Sequence, residues 1–147
     1  VNVCCQPEII IPLCRKPYYK HLDGCPNLNR RHDCPPRCGI WDRVYESRAK
    51  IAAVRFDFSA YKAWRRRQHP DWTPRQIENP YYWQGHVRKH LREVIEKELQ
   101  GRTDLTAVTN PEGMGVNLTK TCQRGGIELE WPPDNYVYKV ALLAKEK

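Results

Sequence analysis

The run Ile51-Ala52-Ala53-Val54-Arg55-Phe56-Asp57-Phe58-Ser59 decides the fold. Val54, Phe56 and Phe58 alternate with Arg55 and Asp57, and a period of two reads as a strand with one face buried. Ser59 then serves as an N-cap for a helix reaching about Gln68. His69-Pro70 ends that helix, because the residue before proline is pushed out of the helical region. Thr73-Pro74 reads as a further N-cap with proline at the first helical position. A longer helix follows over residues 81–99, where Trp83, Val87, Leu91, Val94, Ile95 and Leu99 recur by threes and fours on one face. Gly101 stops it.

Downstream, residues 105–109 form a short strand and Asn110-Pro111-Glu112-Gly113-Met114-Gly115 a turn. Asn117 caps a short helix that carries Cys122 and ends at Gly125-Gly126. Residues 127–131 and 136–144 read as two more strands, with Asp134-Asn135 as a turn pair between them. The pattern predicts an α/β fold, with a small sheet of about four strands and two to three helices.

Upstream the character changes. Residues 1–45 carry six of the seven cysteines, many prolines and little periodicity. Ile9 to Leu13 reads as a short extended piece. From Cys14 to Cys38 the chain is broken by Pro17, Gly24, Pro26, Pro35, Pro36 and Gly39, a density that forbids a regular helix or central strand. An irregular loop that long is uncommon in a compact domain unless something holds it. At 147 residues the chain is one domain. Residues 1–45 read as an irregular cysteine- and proline-rich segment, expected from the cysteines to be metal-binding, and residues 46–147 as the α/β core.

Apolar residues make up 40% and charged residues 29%, a globular composition that argues against disorder. No apolar run approaches the roughly 20 residues that span a bilayer, so no membrane partner is expected. The start lacks a basic region followed by a long apolar one, and a cytoplasmic location is the expectation. The net charge of +8 admits an anionic partner such as RNA. Arg30-Arg31 and Arg65-Arg66-Arg67 could touch phosphates, with Trp64 and Trp72 near enough to stack on bases. The plainer reading packs Trp64 on the core and leaves the arginines in water. Asp57, isolated at the strand end, is expected to pair with a neighbouring arginine. No P-loop, G-x-S-x-G or G-x-G-x-x-G run is present, which removes support for nucleotide, hydrolase and dinucleotide chemistry.

The cysteines are Cys4, Cys5, Cys14, Cys25, Cys34, Cys38 and the solitary Cys122. An odd count does not close as disulfides, and clustered cysteines in a reducing compartment point to metal or catalysis. An extracellular disulfide-bonded protein is the rival. No C-x2-C pair of a zinc ribbon occurs, nor a compact ferredoxin run. Proline does follow Cys25 and Cys34, as it follows a cluster cysteine in ferredoxins. Soft thiolates take iron–sulfur clusters, zinc or Cu(I). A four-iron four-sulfur (4Fe-4S) cluster leads, with zinc in a nucleic-acid-binding module as the alternative. His86 and His90 share a helix face, but the surrounding Arg88, Lys89 and Arg92 read as a solvated basic face. His32 reads as a surface loop histidine.

Arg15-Lys16-Pro17-Tyr18 after Cys14, Gly24-Cys25-Pro26-Asn27, and Asp33-Cys34-Pro35-Pro36 resemble a group of small bacterial and archaeal proteins described as predicted metal-binding proteins, related to domain of unknown function 2284. Tyr82-Trp83-Gln84, Arg88-Lys89, the stretch Pro111 to Asn117, Thr121-Cys122 and Leu129 to Pro133 carry the likeness on. The resemblance implies a metal site with Cys14, Cys25 and Cys34 as its core. Cys122 either closes that set from the α/β core or leaves the fourth position open to a small ligand, with Cys38 as the alternative fourth ligand. Sulfur transfer or redox chemistry at an open iron is the activity this arrangement suggests. Cys4 and Cys5 are read as tail thiols without a role.

Overall fold

The computed structural model describes residues 1–147. In chain order it contains α1 (Pro7–Ile10), a 3-10 turn (Ile11–Arg15), α2 (Trp41–Val44), β1 (Tyr45–Asp57), α3 (Phe58–Gln68) and α4 (Pro74–Glu78). A 3-10 turn (Pro80–Tyr82), α5 (Gln84–Leu99), β2 (Thr106–Val108), a 3-10 turn (Pro111–Met114), α6 (Leu118–Arg124) and β3 (Tyr136–Glu146) follow. The sheet is antiparallel with the order β1-β3-β2.

The fold is mixed α and β as expected, but it has three strands and six α-helices, fewer strands and more helices than the sequence pattern suggested. Residues 127–131 form no strand. Ile127 and Leu129 turn their apolar side chains to the core, but their backbone pairs with no strand, and β1 and β2 are the neighbours of β3. Residues 9–13 are helical rather than extended, because Pro7 starts α1 and Pro12 sits in the first turn of the 3-10 segment, where a missing amide costs nothing. α3 begins one residue before Ser59, and Asp57 accepts from the Ala60 amide at 3.0 Å as its cap instead of pairing with an arginine.

Strand alternation sorts the core into two layers. Val140, Leu142 and Ala144 of β3 face Trp41, Tyr45, Met114, Val116 and Cys122. Ala141 and Leu143 face the other way, with Ala52 of β1, onto Leu91 and Ile95 of α5. Those two side chains, with Val87, stand four residues apart and form the buried stripe of α5. α3 contributes Phe58 and, one turn on, Lys62, which is 5% exposed and bonds Asp134. That face displaces Trp64, which is 44% exposed and does not pack on the core as expected.

β2 is the feature that positions the site. It pairs with Leu142–Ala144 of β3 and then leaves the sheet after Val108. The β3 residues beyond that register, Ala141, Val140 and Lys139, keep β1 on one edge and lose their partner on the other. The chain from Thr109 to Met114 bends away there, and the cysteine-rich segment closes over the gap.

Candidate functional site

The gap is a cleft of about 960 Å³, lined by the cysteine-rich segment, α5, the free edge of β3 and the turn that follows β2. Cys14, Cys25 and Cys34 all line it. Cys14 lies in the 3-10 turn Ile11–Arg15, and the Cys25 amide donates to the Cys14 carbonyl at 2.7 Å. Gly24 makes that approach achievable: it has φ +88°, and a Cβ there would lie 2.4 Å from the Cys14 oxygen. Cys34 sits in a turn in which the Cys38 amide reaches back to the Cys34 carbonyl at 3.1 Å.

The Pro111–Met114 turn supports this loop. Asn110 Nδ2 donates to the Asp33 carbonyl at 2.8 Å and lies 3.7 Å from Cys34 Sγ. Cys38 Sγ donates to the Gly113 carbonyl at 2.9 Å. A Cβ on Gly113 would lie 2.6 Å from the Asp33 oxygen, so glycine is what lets the two loops touch. Arg31 holds Asp33 through two bonds of 3.0 Å.

The remaining predicted residues are placed as follows. Cys122 is fully buried in the core beside Trp41 and Val116 and does not line the cleft. Cys38 packs against the same core behind Cys34. Cys4 is 8% exposed, and residues 1–6 are no free tail. Val1 and Ala49 exchange two bonds, the Cys4 amide bonds Thr121 Oγ1 at 3.0 Å, and the Asn117 amide bonds the Cys4 carbonyl at 2.7 Å. All seven thiols are free. His86 and His90 lie exposed with ring centroids 4.4 Å apart, and His32 is exposed as well. No three His, Cys, Asp or Glu side chains stand close enough together to hold one metal ion.

Burial pushes the Cys14 thiol up, and the nearby Cys25 pushes it further. Burial also raises Cys34, with Asp33 adding to the effect and Arg31 opposing it. Cys122 is pushed up to about 11 by burial and then by Glu112. Burial raises the Glu112 carboxyl and lowers the Lys139 ammonium, both on the cleft wall.

Glu112, Lys139, Arg88, Arg92 and Asn110 line the cleft without having been singled out in the sequence as site residues. One signal was present: Lys139 is a lone charge in the apolar run Val137 to Ala144. The arginines read as a solvated helix face, and only the packing shows that the face borders a cleft.

No family model matches the chain, and a search of curated proteins and of solved structures finds no significant match either.

Proposed function

We propose that the chain is an iron–sulfur protein, with Cys14, Cys25 and Cys34 holding a 4Fe-4S cluster at the thiol wall of the cleft. The observation that carries this reading is that three cysteines far apart in sequence line one cleft, two of them joined through their backbones. The donor chemistry fits, since soft thiolates take such clusters. The same thiolates would also take zinc, and metal analysis distinguishes the two.

With Cys122 in the core and Cys38 turned to Gly113, a cluster held by the three thiols would lack a fourth cysteine from either. When bound, such a group supplies one-electron chemistry or a Lewis-acidic iron, and sulfur transfer is within its range. The chain's own part is to hold the thiols, to donate to Cys34 from Asn110, and to present Glu112 as a carboxyl biased towards its protonated form. Seven free thiols suit the reducing cytoplasm.

Anaerobic purification followed by iron and sulfide analysis, absorbance and EPR tests the proposal. Roughly equimolar iron and sulfide is the expected result, with the signal lost in Cys25→Ser. Stoichiometric zinc without iron would overturn it. The alternative, a zinc-stabilised module that binds nucleic acid, draws its support from the exposed Arg66 and Arg67 beside Trp64. It requires RNA binding that weakens steeply with salt.

A further inference from the structure

The cleft is larger than three thiols need. Its volume of about 960 Å³ is at the upper end of the roughly 300–1,000 Å³ typical of small-molecule sites. Its charges are also unbalanced. Asp33 is neutralised by Arg31. Arg88 and Arg92, one turn apart on α5, both line the cleft and neither is paired with a carboxylate. Lys139 enters from the free edge of β3, half-buried, and it too has no ion-pair partner. Arg88 is close enough to push the Lys139 ammonium towards neutrality, adding to the effect of burial. Cations brought together without a counter-charge repel one another, and an anion between them removes that cost. Glu112, on the same wall, partly offsets Lys139, and neither arginine is paired with it.

The geometry points to an oxyanion site: Arg88, Arg92 and Lys139 bind a small ligand with at least two negative charges on the α5–β3 wall of the same cleft that the thiols line. Carboxylates, phosphates and sulfur oxyanions share the needed chemistry, and arginines at four-residue spacing can grip two oxygens at once. The inference deepens the iron–sulfur reading by giving that cleft a substrate class, but the anion's binding residues are not the cluster's ligands.

The test titrates the full chain, loaded and metal-free, with inorganic phosphate, with sulfate and with malonate at constant ionic strength. Calorimetry and tryptophan fluorescence report binding, Trp131 being on the cleft. Saturable binding is expected, with competition between the anions and with acetate much weaker. Arg88→Gln/Arg92→Gln should weaken it about tenfold or more, and Lys139→Met likewise, while Arg66→Gln/Arg67→Gln should not. The arginine pair is exposed, so that variant should fold as the parent does. An absence of saturable binding, or an equal loss in the Arg66/Arg67 control, would overturn the site. Iron and sulfide content separates the two proposals. A protein that loads iron and sulfide but ignores anions sinks the oxyanion site alone. One that binds anions through Arg88 and Arg92 but never takes iron sinks the cluster alone.

Discussion

A methyl group on Gly24 would stand 2.4 Å from the Cys14 carbonyl oxygen, on a backbone already at φ +88°. Gly24→Ala should therefore separate Cys14 from Cys25 and cost at least about 1–3 kcal/mol locally. The expected outcome is a marked loss of iron and sulfide on anaerobic reconstitution, with far-UV circular dichroism unchanged. Asn110 acts on the same site through its amide near Cys34 Sγ. Donors to cluster sulfurs raise reduction potential, so if the proposed cluster forms, Asn110→Ala should still load it and show a lower midpoint in a redox titration. Cys122 behaves differently, as a core thiol. Its value is raised from 9.0 to about 11, so the folded state holds the proton more tightly than the unfolded one. The stability this gives is fully present below about pH 9 and lost as pH rises towards 11. Two units correspond to about 2–3 kcal/mol. In metal-free, reduced protein, the stability gap between the parent and Cys122→Val should narrow by that amount across this range in urea melts.

At the scale of elements, what could be read in the sequence was whatever kept its period. The α5 stripe was legible because Val87, Leu91 and Ile95 keep a helical spacing into the core. Leu91→Ala should cost about 2–5 kcal/mol, measured as a shift of the denaturant midpoint. The β1 alternation was legible from Ile51 onwards, and its first half was not. Between the pairs Tyr45–Glu146 and Ala49–Ala144, three residues of β1 oppose one of β3, and an irregularity of this kind scrambles the alternation. Residues 127–131 misled for the opposite reason: side chains that alternate announce a buried face but not a hydrogen-bonded neighbour. Residue types singled out Cys14, Cys25 and Cys34, which the fold brings to one cleft, while the wall opposite could not be read. Arg88 and Arg92 differ in no local way from Lys89, and only the early end of β2 makes them cleft residues.

For the whole molecule, the cysteine-rich segment is a component of the core rather than an appendage. Thr121 is fully buried between the Cys4 amide and the Asn117 carbonyl. Thr121→Val keeps the shape and orphans that amide, at an expected cost of about 1–3 kcal/mol in overall stability by chemical denaturation. The segment is tied to Ser47 and Ala49 on one side and to Gly115 and Asn117 on the other. One of the two parts that receive it, the stretch of Gly115 and Asn117, therefore comes much later in the chain than the thiols. On the ribosome, Cys34 precedes Asn117 by enough residues to be held waiting roughly 4–17 s at about 5–20 residues per second. Throughout that interval the three thiols have left the exit tunnel but lack Asn110 and Gly113 to lean on. If the chain takes the proposed cluster, its nascent form would then be open both to iron delivery and to any oxidant that reaches it first.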